Sequence, residues 1–90
     1  MTRQLLADAA EHAGRAADAA DGEVAERFAG VADDLRAVAD ESRSGPDHGW
    51  MAKRINTIRE AASDADDEVQ GHADEAIESI SEYREGVPGV

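Results

Sequence analysis

AADAADGEV, residues 16–24, and AASDADDEV, residues 61–69, stand 45 residues apart in a chain of 90 and nearly repeat each other. How these two stretches are read decides the fold. If helix runs on through both, the chain is a hairpin of two long helices. If it breaks at both, there are four short ones.

The repeat extends well beyond the quoted motifs. From Leu6, the first half sets apolar residues at Leu6, Ala10, Ala13, Ala17, Ala20, Val24, Phe28, Val31, Leu35 and Val38. Each has a counterpart 45 residues later: Met51, Ile55, Ile58, Ala62, Ala65, Val69, Ala73, Ala76, Ile80 and Tyr83. Both sets step 4, 3, 4, 3, 4, 4, 3, 4, 3. The mean step, about 3.56 residues, is the period of an amphipathic helix whose one stripe faces a core.

The consecutive fours fall on the quoted motifs, at Ala20–Val24–Phe28 and Ala65–Val69–Ala73. The preferred reading is a stutter, which unwinds a supercoil locally while the helix continues. The alternative is a turn, because Asp21-Gly22 is turn chemistry and Asp21 is a suitable N-cap. Asp66-Asp67 in the second copy has neither Gly nor Pro, and stripe phase is kept across both motifs. Both points favour continuity.

Between the repeats lies SRSGPDHG, residues 42–49, where Pro46 lacks a backbone donor and biases Gly45 away from helix. The chain must turn there. The expected fold is all-α and a single domain, 1–90: a long antiparallel, coiled-coil-like helical hairpin with arms 3–43 and 49–85, loop 44–48 and a loose tail 86–90. Four short helices in an up-down bundle are the alternative. Folding the arms together sets Ala10 to Ala20 beside Ala73 to Tyr83, and Val24 to Val38 beside Met51 to Val69. The larger stripe residues, Leu6, Val24, Phe28, Val31, Leu35, Val38, Met51, Ile55, Ile58, Val69, Ile80 and Tyr83, then carry the packing. A lone hairpin leaves flanking Leu5, Ala32, Trp50 and Ile77 wet, so pairing of two hairpins into a homodimeric four-helix bundle is expected.

Twenty-one acidic residues against nine basic ones give a net charge of −12, and Lys53 is the sole lysine. Such a surface disfavours nucleic-acid backbones and anionic membranes as general partners. Nineteen alanines and three aromatic residues leave few bulky apolar side chains to resist this repulsion. Near 1 M salt the Debye length falls to about 3 Å and the repulsion is largely screened. The composition therefore suits a cytosol of high salt. A GC-rich genome explains arginine over lysine, but not the excess of acids over arginine.

Cysteine is absent, which removes disulfides and thiolate chemistry. No apolar run reaches membrane-spanning length, and Asp8 and Glu11 interrupt any leader-like N-terminal segment, so a cytoplasmic protein is expected. Ser42, Ser44, Ser63, Ser79 and Ser81 lack a neighbouring base that would mark a nucleophile, and no enzymatic activity or cofactor is expected. Asp64, Asp66, Glu68, Gln70, His72 and Glu75 match calcium-loop spacing, but the position that needs glycine is Val69, a stripe residue, so no metal site is assigned. His12 and His72 read as exposed helix residues. His48 falls in the loop.

WMAKRINTIR, residues 50–59, departs from the charge trend, with Lys53, Arg54 and Arg59 beside the only Trp. Functionally, Trp50, Lys53, Arg54 and Arg59 form a candidate docking patch for an unknown protein partner or, as the alternative, nucleic acid. Structurally, the cations answer Asp33, Asp34, Asp40 and Glu41 on the facing arm while Trp50 closes the end of the hairpin.

HAGRAADAADGEVAERFAGVADDLRAVAD and EAASDADDEVQGHADEAIESISEYRE resemble the small acidic helical proteins of haloarchaea that form families of unknown function. The likeness is one of texture and helical pattern. It implies an all-α, salt-adapted chain and carries over no active residues. The function expected is a non-enzymatic helical interaction or structural module adapted to high salt.

Overall fold

The computed structural model describes residues 3–40, 42 and 45–87. Residues 41 and 43 at the end of the first expected arm, Ser44 of the expected loop and residues 88–90 of the expected tail lie outside the described residues. Four helices form among the described residues: α1 (Gln4–Ala19), α2 (Gly22–Ala39), α3 (His48–Ala62) and α4 (Asp67–Glu85). The all-α class holds, and the four-helix alternative is the one adopted. The two continuous arms are not, because the chain reverses at both quoted motifs.

The reversals use different devices. At the first, α1 ends on an Ala20 amide bonded to the Ala16 carbonyl at 3.0 Å. Gly22 then takes a φ of 59°, the left-handed conformation that glycine adopts without steric cost. Asp21 is the N-cap of α2, yet its carboxylate makes no capping bond. At the second, Asp66 Oδ1 accepts from the Val69 amide at 3.1 Å. Gln70 Nε2 donates to the carbonyls of Ala62 and Ala65, at 3.2 and 2.9 Å, and Ser63 Oγ donates to the Glu60 carbonyl at 2.9 Å. Side chains thus satisfy helix ends that would otherwise lack partners. Asp67 and Glu68 in the first turn of α4 complement its positive N-terminal dipole.

Stripe phase survives both reversals because each short link returns the chain with the same face inward. Every one of the twenty stripe positions lies in the core or against it, fifteen of them buried. Ala9, Ala16, Ala32 and Ala61 join the buried set. Buried side chains among the described residues are all apolar. Here lies the physical reason for four helices. A long hairpin leaves the flanks of its stripes wet, whereas folding each arm back packs four helices around one core within one chain, without the entropy cost of association. Of the flanking residues that motivated a homodimer, Ala32 is buried within the chain, and Leu5, Trp50 and Ile77 are half-buried against its core.

Each helix packs on two others, in the ring order α1, α2, α3, α4. The expected pairing of α1 with α4 and of α2 with α3 is present, and α1–α2 and α3–α4 contacts are added. Spacing is uneven. α1, whose buried set is Leu6 and four alanines, lies close against α2 and α4. α3 buries Met51, Ile55 and Ile58 and stands further from both of its neighbours.

One end of the bundle gathers the start of α1, the end of α2, the start of α3 and the end of α4. Arg3 Nη1 donates to the carbonyls of Val38, at 3.2 Å, and Asp40, at 2.8 Å, tying α1 to the end of α2. Gly45 lies so close that a Cβ there would stand 3.3 Å from Arg3 Nη2. The Asp47 carboxylate caps α3 by accepting from the Trp50 amide at 2.7 Å.

Candidate interaction site

The basic stretch lies on α3, held in place by the Asp47 cap and by the burial of Met51, Ile55 and Ile58. Helical phase then distributes its four members. Arg54 sits on the flank facing α2. Its Nη1 lies 3.5 Å from Asp34 Oδ2, and its guanidinium carbon stands 4.8 Å from the centroid of the Trp50 ring. Cation–π attraction thus adds to an ion pair between half-buried Arg54 and exposed Asp34, while Arg54 Nε is buried without an acceptor. Trp50 is itself half-buried against the core. Arg54 and Trp50 are occupied with one another and with α2.

Arg59 lies on the other flank, facing α4, since five residues along a helix is a rotation of about 140°. Lys53 is exposed between the two flanks. Helix geometry therefore brings Trp50 and Arg54 together and separates them from Arg59. Among the acids expected to answer these cations, Asp34 does so. Asp33 instead pairs with Arg36 on its own helix at 3.3 Å, Asp40 holds Ser42 through Oδ1, and Glu41 lies outside the described residues.

The histidines are more engaged than expected. His12 is half-buried, with Nδ1 at 3.0 Å from Glu75 Oε2 on α4 but off the hydrogen-bonding direction. His72 is also half-buried. His48 is the first residue of α3, and its ring links two helix ends. Arg84 Nε donates to Nδ1 at 3.2 Å, so the ring proton sits on Nε2, which faces the Val87 carbonyl at 3.2 Å. Sequence offers no signal for this link, because 36 residues separate His48 from Arg84.

The calcium-like spacing has no loop to act through. Asp67 to Glu75 are helical, and Asp66 Oδ1 is engaged by the Val69 amide. No group of three or more His, Asp or Glu side chains among the described residues is arranged to hold a metal ion. No helix among them is long and apolar enough to cross a membrane.

Among the described residues, clefts run between α1 and α2, α2 and α3, and α3 and α4, and another lies where the two reversals meet, lined by Ala19, Ala20, Val24, Ala65 and Val69 with two acids, Asp21 and Asp66. The α1–α2 groove is charged, with Glu11, Arg15, Asp18, Arg36 and Asp40 in its lining. So is the α2–α3 groove, which holds Glu26, Arg27, Asp34, Arg54 and Glu60. The α3–α4 groove differs. Ala62, Ser63, Gln70, Ala73 and Ile77 line it, with one cation, Arg59, and one anion, Asp74.

A net-acidic four-helix bundle, made from two copies of one helical hairpin, is the class of protein that this geometry defines. The chain belongs to a family of unknown function (DUF7553), whose model matches residues 1–86. This agrees with its resemblance to uncharacterised families. No curated protein and no solved structure matches it.

Proposed function

We propose that the chain is a helical interaction module, without catalytic activity, adapted to a cytoplasm of high salt. The observation that carries this reading is the segregation of the two kinds of residue. Among the described residues, apolar side chains alone fill the core, and the acids lie outside it, most densely on α4, which has seven acidic residues and one arginine. A fold whose core relies this heavily on alanine resists a charge of −12 weakly in dilute buffer and well when salt shortens the Debye length to a few ångströms. An unknown protein is the proposed partner, since the acidic surface opposes the phosphate backbone of nucleic acid.

Thermal unfolding followed by circular dichroism across a KCl series tests the adaptation. The midpoint should rise steeply from dilute buffer to molar KCl. Equal stability at both extremes would overturn the reading.

A further inference from the structure

We propose that the α3–α4 groove is a self-association surface whose occupant is a second copy of this chain; the proposal rests on the interaction-module reading and names its first partner. Three observations point to it. The α1–α2 and α2–α3 clefts carry four or five charged residues each and the cleft between the two reversals carries two acids and no base, whereas the α3–α4 groove carries one cation and one anion among neutral residues and the half-buried Ile77. Those two charges have opposite sign and face each other across the groove. Among the described residues neither Arg59 nor Asp74 has an ion-pair partner, although acids outnumber bases by more than two to one.

A two-fold axis along the middle of the groove exchanges its sides. Arg59 of each copy then meets Asp74 of the other, and the two Ile77 side chains meet near the axis. This is the self-complementary arrangement that an isologous dimer requires. The residues lining the groove run about 10 Å along α4, from Gln70 to Ile77, so the contact is small and its specificity rests on the two reciprocal charge pairs. Dimerisation through the apolar stripe is not involved, because that stripe is consumed inside each chain.

Salt acts on this dimer in a recognisable direction. Two copies of charge −12 repel at long range, and salt screens that repulsion more than it weakens ion pairs in direct contact. Association should therefore strengthen as KCl is raised. Sedimentation equilibrium in about 2 M KCl, well inside the screened regime, reads the mass directly. The wild-type chain, 9.5 kDa as a monomer, is expected at twice that mass.

Arg59→Asp and Asp74→Arg should each weaken the dimer at least tenfold, since each sets like charges together at both symmetry-related contacts. An equimolar mixture of the two variants should restore it. In the mixed dimer the two substituted positions meet with opposite charges, and the unaltered Arg59 of one copy meets the unaltered Asp74 of the other. Ile77→Ser should weaken association without altering charge. Circular dichroism on the same samples separates this test from that of the salt-adapted fold. A helical but monomeric wild type, single variants that dimerise as wild type does, or a mixture that stays monomeric would each overturn the proposal. Loss of dimer in a Lys53→Gln variant but not in Arg59→Asp would place the interface elsewhere and overturn it equally.

Discussion

The two halves of this molecule follow one 45-residue pattern and reach the same shape by different means. In the first hairpin, small residues set the distance: Ala9, Ala10, Ala13 and Ala16 let α1 lie close to two neighbours, and the reversal depends on the backbone freedom of Gly22. In the second, Met51, Ile55 and Ile58 hold α3 further out, and the reversal depends on the Asp66 carboxylate accepting from the Val69 amide and on hydrogen bonds donated by the Gln70 and Ser63 side chains. Packing distance follows residue size, and a turn can be made by a permissive backbone or by capping side chains. The wider second hairpin is also where the sparsely charged groove lies.

Exchanging residues between equivalent positions breaks this comparison most severely. Ile58 and Ala13 are 45 residues apart and both fully buried. Ile58→Ala should cost about 2–5 kcal/mol through the cavity it leaves. Ala13→Ile should cost about 1–3 kcal/mol by forcing apart the closely packed α1 interfaces. Chemical denaturation in molar KCl measures both, and an Ala13→Ile variant as stable as wild type would refute the close packing assigned to α1.

The turns give the next effects. Gly22→Ala should destabilise by about 1–2 kcal/mol, because alanine at a φ of 59° is strained even though the space around the position is open. Asp67→Ala, at the equivalent place in the second turn, should lose no more than about 1 kcal/mol of helix-dipole interaction. Asp66→Ala removes a capping bond and should cost about 1 kcal/mol. Asp21→Ala removes none and should cost a few tenths of that. Thermal melts of the four variants rank these costs, and equal losses at Asp21 and Asp66 would mean that the two turns are built alike. Smallest, and opposite in sign, are the exposed mid-helix glycines. Gly30→Ala and Gly71→Ala meet nothing within 4 Å and should each stabilise by about 0.5–1 kcal/mol.

Much of this fold is legible in one dimension. The repeat, the inward face and the pairing of α1 with α4 and of α2 with α3 follow from period and residue size. The reversals are harder to read because an unbroken stripe looks the same whether the helix continues or turns back with its inner face retained. Asp66 followed by Asp67 and Glu68 was the available signal, an N-cap residue leading into an acidic first turn. The split of Lys53, Arg54 and Arg59 onto different flanks was likewise available from helical phase, since WMAKRINTIR is contiguous in sequence but not on one face. Two features were beyond reach. The His48–Arg84 link joins residues 36 apart, and the α3–α4 groove depends on how far α3 stands from α4, which only the packed core determines.

The central claim is that the chain reverses at residues 20–21 and again at 63–66, so that four helices form one bundle. The absence of cysteine allows a spin-label pair to be placed at Gln4 and Ala37, both exposed, with labelled chains diluted in unlabelled ones. Adjacent antiparallel helices lie about 8–10 Å apart, so the electron-spin distance in molar KCl should fall within about 20 Å. A continuous helix from residue 4 to residue 37 would place the labels about 50 Å apart and contradict the account.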